Sequence, residues 1–77
     1  MKLVWREQTD GSWHARHYPR GAEWLSPFAL SVWREDSVFP WHWEVRRHDE
    51  VLHNGQATED EAARIAAHGQ LMRQLSV

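Results

Sequence analysis

Trp41-His42-Trp43-Glu44-Val45-Arg46 alternates strictly between apolar and polar side chains. A period of two sets Trp41, Trp43 and Val45 on one face of a strand and His42, Glu44 and Arg46 on the other. One face buried and one face wet is the signature of an antiparallel sheet that needs a covering layer on one side only. The cover is written further along the chain. Thr58-Glu59-Asp60-Glu61 reads as a capping box, with Thr58 accepting from a first-turn amide, Glu61 returning the bond and the acidic groups meeting the positive end of the helix dipole. From about Glu59, Ala62, Ile65, Ala66, Gly69 and Met72 recur at three- and four-residue steps and are expected to face the sheet. Gly69 weakens a helix interior, but Leu71-Met72-Arg73-Gln74-Leu75 consists of good helix formers and carries the helix to about Leu75.

The same alternation extends upstream. Phe28, Leu30 and Val32 share one face of a third strand, Phe28 to Glu35, with Ala29, Ser31 and Trp33 on the other. Leu3 to Glu7 is a first strand with Leu3 and Trp5 inward. Asp10-Gly11 supplies the positive φ of a tight hairpin turn, and a second strand starting near Ser12 puts Trp13 and Ala15 on the side of Trp5 and turns His17 inward at its end. Pro19-Arg20-Gly21 and Ser26-Pro27 bracket a connection that contains Trp24 and Leu25. After a polar turn around His48-Asp49-Glu50, Val51-Leu52-His53 is a short fifth strand that Asn54-Gly55 closes. The expected fold is α+β: an antiparallel sheet of four or five strands with one C-terminal helix on one face, ββββα or βββββα, over a single domain spanning 1–77.

Seventy-seven residues, six of them tryptophan and none cysteine, leave side-chain bulk as the means of building a core, since disulfides and thiolate zinc sites are absent. Trp5, Trp13, Trp41 and Trp43 are the inward indoles expected to carry it. Each buried indole removes about 150–250 Å² from water. The segment Met1 to Arg6 has no apolar run of a signal peptide, and no stretch approaches the roughly 18 apolar residues of a membrane span, so the expected setting is the cytoplasm with no membrane partner.

Six histidines, His14, His17, His42, His48, His53 and His68, raise metal binding. His14 and His17 point to opposite faces of one strand, His14 and His42 lie two strands apart, and the helix has no i,i+4 pair, so the expectation is no metal and no cofactor. Ser12, Ser26, Ser31 and Ser37 lack a glycine-rich elbow or phosphate-cradling loop, and His48-Asp49 reads as a solvated turn, so no catalytic residue is expected.

The face turned away from the helix is composed of Arg6, His14, Arg16, Tyr18, Ser31, Trp33, His42, Glu44 and Arg46. Within it, Arg16, Tyr18, Trp33, His42 and Arg46 are the candidate partner-binding residues, because guanidinium groups and aromatic rings dominate protein hot spots and also stack bases and pair phosphates. The competing reading is ordinary solvent-face decoration, with Arg46 paired to Glu44 or Glu35. A formal net charge of −2 argues against a general polyanion binder. A non-enzymatic accessory domain acting by protein contact or self-association is therefore expected first, and nucleic-acid binding through the same face second.

Trp41-His42-Trp43-Glu44-Val45, then Gly55-Gln56-Ala57-Thr58, then Glu61-Ala62 and Ala66 resemble the closing unit of small bacterial and prophage-encoded proteins, in which a Trp-bearing strand leads through a Gly-x-Ala-Thr turn into an Ala-rich helix. In outline the arrangement is also similar to the arm-binding domains of tyrosine recombinases, whose sheet reads DNA. The resemblance covers about the last third of the chain and implies a phage-related setting; it transfers no functional residue.

Overall fold

A computed structural model describes residues 3–18 and 27–76. Five strands, β1 (Arg6–Glu7), β2 (Trp13–His17), β3 (Phe28–Arg34), β4 (Trp41–Arg47) and β5 (Glu50–Ala57), form one antiparallel sheet in sequential order, followed by α1 (Asp60–Leu75). The chain thus takes the βββββα form. Trp24 and the rest of the β2–β3 connection at 19–26 lie outside the described residues.

Register fixes the two faces. Ala15, Leu30 and Val45 align across β2, β3 and β4 on the helix side, as do Trp13, Val32 and Trp43. Leu30, Val32, Val45 and, from α1, Leu71 are the largest fully buried side chains. The core is therefore aliphatic at its centre. Trp43 is buried, whereas Trp5, Trp13 and Trp41 are partly exposed and packed around the rim, which corrects the expectation of four indoles at the core. An indole is too large for the thin layer between a sheet and a closely seated helix, so three of the four cover the margins of that layer. Trp13 stacks under the Arg64 guanidinium of α1, 4.1 Å from the ring centre, an attraction between cation and ring face that closes the β2 side of the layer.

α1 reaches the sheet through Ala63, Ala67 and Leu71, all fully buried. The expected contact face was different: Ala62 and Gly69 are exposed, as are Ile65 and Met72, and of the expected set only Ala66 packs against the core. A four-residue step of Ala63, Ala67 and Leu71 presents the shortest side chains where helix and sheet approach, with one large side chain as anchor. The expected capping box is also absent. The N-cap is Glu59, its side chain makes no capping bond, and the first-turn amide of Glu61 is met by the Asp60 carboxylate at 2.9 Å.

Two strand boundaries differ from expectation for physical reasons. β1 is only two residues long, shorter than Leu3 to Glu7, although Leu3 and Trp5 still pack on the core. β5 runs through Asn54-Gly55 and does not close there. Gly55 lies opposite Trp43, and a Cβ at that position would sit 2.6 Å from Trp43 Cζ2. The glycine gives the indole room to lie against β5; it does not make a turn. The register of β4 with β5 shifts between Val45 and Arg46, leaving Leu52 as the extra residue of a bulge. The reversal between β4 and β5 is instead made at His48, whose φ of 56° is left-handed. His17 faces inward and stacks on Phe28, and the ring of Phe28 also carries Arg47 at 4.9 Å.

Candidate functional site on the bare sheet face

α1 covers one face of the sheet, and the register sets out the other. One row runs Arg6, His14, Ser31, Glu44, Asn54; a second runs Arg16, Ala29, Arg46, Val51; a third runs Trp33, His42, Gln56. The five candidate residues therefore divide into two groups. Arg16 and Arg46 flank Ala29, about 10 Å apart at the spacing of two strands, and Trp33 with His42 lies four residues further along β3, about 13 Å away. Tyr18 follows the last residue of β2 and is exposed.

The Trp33 end is internally satisfied. Trp33 and His42 stack with ring centres 5.9 Å apart and planes 18° from parallel. His42 Nε2 is 3.1 Å from a Glu35 carboxylate oxygen and 3.4 Å from the Ser37 hydroxyl, which itself donates to the Phe39 carbonyl. Arg46 is likewise engaged, donating to Glu44 at 3.3 Å. Of the two carboxylates expected for Arg46, Glu44 takes it and Glu35 serves His42. These pairs fit the decorative reading of that end of the face.

The other end differs. Among the described residues neither the Arg6 nor the Arg16 guanidinium has an ion-pair partner. They border an open trough of about 680 Å³ whose floor includes Ala29 and Ser31 and whose wall includes His14. The trough exists because β3 has short side chains at 29 and 31 where its neighbours have arginine, histidine and glutamate.

A hydrogen-bond chain holds the His14 wall. The Ser12 hydroxyl donates to Asp10 Oδ1 at 2.6 Å, Ser12 Oγ lies 3.2 Å from His14 Nε2, and His14 Nδ1 lies 3.2 Å from Ser31 Oγ. Because an ionised carboxylate can only accept, the Ser12 proton is committed to Asp10. Ser12 Oγ must then accept from His14 Nε2–H, and in the neutral ring this leaves Nδ1 to accept the Ser31 proton. The Ser12 hydroxyl, followed by its amide at 2.9 Å, holds the Asp10 carboxyl below its ordinary pKa of 3.8. Gly11, at φ 87°, makes the turn that brings Asp10 back to Ser12, and the Gln8 amide closes it on the Ser12 carbonyl at 2.7 Å.

Arg6, His14 and Ser31 were legible as members of the bare face but not as a site. The available signal was the spacing Asp10-Gly11-Ser12-Trp13-His14: an Asx turn that leads into Ser12 and His14, two residues apart on one face. No group of three or more His, Asp and Glu side chains suited to a metal occurs among the described residues. No described helix is long and apolar enough to cross a membrane.

Comparison with known proteins returned no matching family model, no matching curated protein and no matching solved structure.

Proposed function

We propose that this chain is a non-enzymatic accessory domain, cytoplasmic and phage-related, that binds an acidic segment of a partner protein on its bare sheet face. The observation that carries this reading is the pair of guanidinium groups, Arg6 and Arg16, which have no ion-pair partner among the described residues and lie beside a trough floored by Ala29 and Ser31. By formal count the three rows hold three arginines and one glutamate, a net charge of +2 on a chain whose total is −2. Carboxylates are the natural counter-groups, and a planar guanidinium receives them through two parallel bonds. Recognition by Arg6 and Arg16, with the Ser31 edge of the trough as a polar margin, requires no covalent step.

A second reading, nucleic-acid binding, draws on the same positive sign, on the Trp33 ring at the far end and on the outline similarity to recombinase arm-binding domains. We rank this reading second because Trp33 is already stacked on His42 and Arg46 is tied to Glu44, so that stacking and phosphate pairing would have to displace existing partners.

Titration of ¹⁵N-labelled protein with a Glu-rich peptide, and separately with single-stranded and duplex oligonucleotides, tests both readings. The expected result is peptide-induced shifts at Arg6, His14, Arg16 and Ser31 that Arg16→Glu removes. Shifts produced by oligonucleotide and not by peptide, spreading to Trp33 and falling steeply with salt, would replace the first reading by the second.

A further inference from the structure

The helix surface that the sequence pattern assigned to the core is instead an apolar face in solvent. Ala62, Ile65, Gly69 and Met72 follow a 3-4-3 spacing and point about 180° away from Ala63, Ala67 and Leu71 at 100° per residue. Ile65 is 65% exposed and Met72 42%. A Cβ at Gly69 would have nothing within 4 Å, so an open notch lies one turn from the Ile65 side chain. Polar groups would serve these positions equally well if water were their only neighbour.

We infer that this face of α1 receives the same face of a second copy of the chain, antiparallel and about a two-fold axis. Three properties of the helix point to a second copy. In antiparallel register Ile65 of each copy falls opposite Gly69 of the other, and Ala62 opposite Met72, so large side chains meet small ones and every contact is reciprocated. The flank that carries Arg73 also carries Ala66, and Glu59, the extended N-cap residue, adjoins the N-terminal end of α1; antiparallel pairing sets like flank against like flank, so Arg73 of each copy comes to the Glu59 end of the other. Glu59 makes no capping bond within its own helix, and neither it nor Arg73 has an ion-pair partner among the described residues. Finally, Glu61 in the first turn and Arg73 in the last turn place opposite charge at both ends of such a pair, with the two helix dipoles opposed.

A helix of 16 residues is about 24 Å long, too short to bury the roughly 800 Å² per partner of a standard interface. The dimer is accordingly weak, with a dissociation constant on the order of 0.1 mM. It leaves the bare sheet faces of both copies outward, and its existence does not depend on what those faces bind.

Sedimentation equilibrium over about 10 µM to 1 mM, with the ¹⁵N spectrum as a control for folding, tests the inference. The wild-type chain is expected to dimerise, and Ile65→Asp to stay monomeric with its spectrum otherwise intact. Arg73→Glu is expected to weaken association about three- to tenfold through two symmetry-related ion pairs, and Glu59→Arg combined with Arg73→Glu to restore it. Gly69→Ala should raise the melting temperature of the monomer, because the position is helical and uncrowded, while weakening the dimer by filling the notch. In a mixed sample of labelled and unlabelled protein, contacts are expected between the Ile65 methyls of one copy and Gly69 of the other. A chain that remains monomeric at the top of the range, or a dimer that Ile65→Asp leaves unchanged, overturns the inference.

Discussion

Gly55 and Gly69 show how the same residue type is fixed by different causes. Gly55 is held by Trp43: adding a methyl group drives it to 2.6–2.8 Å from three indole atoms, and Trp43 is buried with β5 on one side and the core on the other. Gly55→Ala is expected to cost about 2 kcal/mol, in the range of an overpacked core, whereas Gly69→Ala should gain up to about 1 kcal/mol from helix propensity. Urea unfolding of the two variants at a concentration that keeps the chain monomeric checks the opposite signs. Asp10 supplies a second prediction at this scale. Hydrogen bonding by Ser12 lowers its pKa below 3.8, so the folded state holds its proton less tightly than the unfolded state does. Its contribution to stability is present in full above the unfolded value and is lost as pH falls through the folded one. Asp10→Asn should flatten the acid limb of the stability curve below about pH 4, read by unfolding at pH 6 and pH 3. A limb of unchanged slope would remove Asp10 from the account. Because the same Ser12 hydroxyl directs the proton of His14 to Nε2, Ser12→Ala should also release that ring to a mixture of tautomers, visible in its ¹⁵N shifts.

At the scale of the element, α1 depends on a single large anchor. Leu71 is fully buried, and its companions on the contact face, Ala63 and Ala67, bury little surface of their own. Leu71→Ala is therefore expected to cost about 3 kcal/mol, as transfer and cavity terms add, and to loosen the helix in hydrogen exchange before the strands. Ile65→Ala should change monomer stability by less than about 0.5 kcal/mol, as for an exposed site. This pair of variants also marks where sequence and structure part. β3 and β4 were readable because Leu30, Val32, Trp43 and Val45 recur at every second position, and a period of two leaves only two choices of face; β1 and the end of β5 carry no such run, and there the observed bounds, Arg6–Glu7 and Glu50–Ala57, differ from those expected. The helix was readable in length, including its passage through Gly69 to Leu75. Its orientation was not, because Ala62, Ala63, Ala66 and Ala67 supply small apolar side chains on several sides, and Ile65 with Met72 outweighs a lone Leu71 in any pattern drawn from the chain alone. What decides the matter is the sheet, whose Val32, Trp43 and Val45 already fill the layer and admit methyl groups more readily than Ile65. The trough was hidden for a different reason: a pattern identifies Ala29 and Ser31 as outward, but only the register shows that Arg16 lies beside the one and His14 beside the other.

For the whole molecule, the two surfaces act in different directions. α1 occupies one side of the sheet and the trough with Arg6 and Arg16 the other, so pairing through the Ile65 face turns two positively charged sheet faces outward, one on each side of the dimer. A dimer of this form is bivalent. Each site gains little from direct contact with a carboxylate in water, since exposed ion pairs are worth about 0–1 kcal/mol and weaken as salt shortens the Debye length to about 8 Å. Two weak sites engaging a dense array of acidic ligands bind more firmly than either alone, because the second contact is made at the effective concentration set by the first. The expected consequence is a separation between two measurements on the Ile65→Asp variant. Its affinity for a monovalent Glu-rich peptide in solution should equal that of the wild-type chain, because the trough lies on the opposite face. On a surface densely coated with that peptide, at protein concentrations near the dimer dissociation constant, the variant should leave faster than the wild type. Equal release from the dense surface would mean that the two sheet faces do not act together. Loss of solution affinity in Ile65→Asp would mean that the helix face itself meets the peptide, and would move the binding site from the sheet to α1.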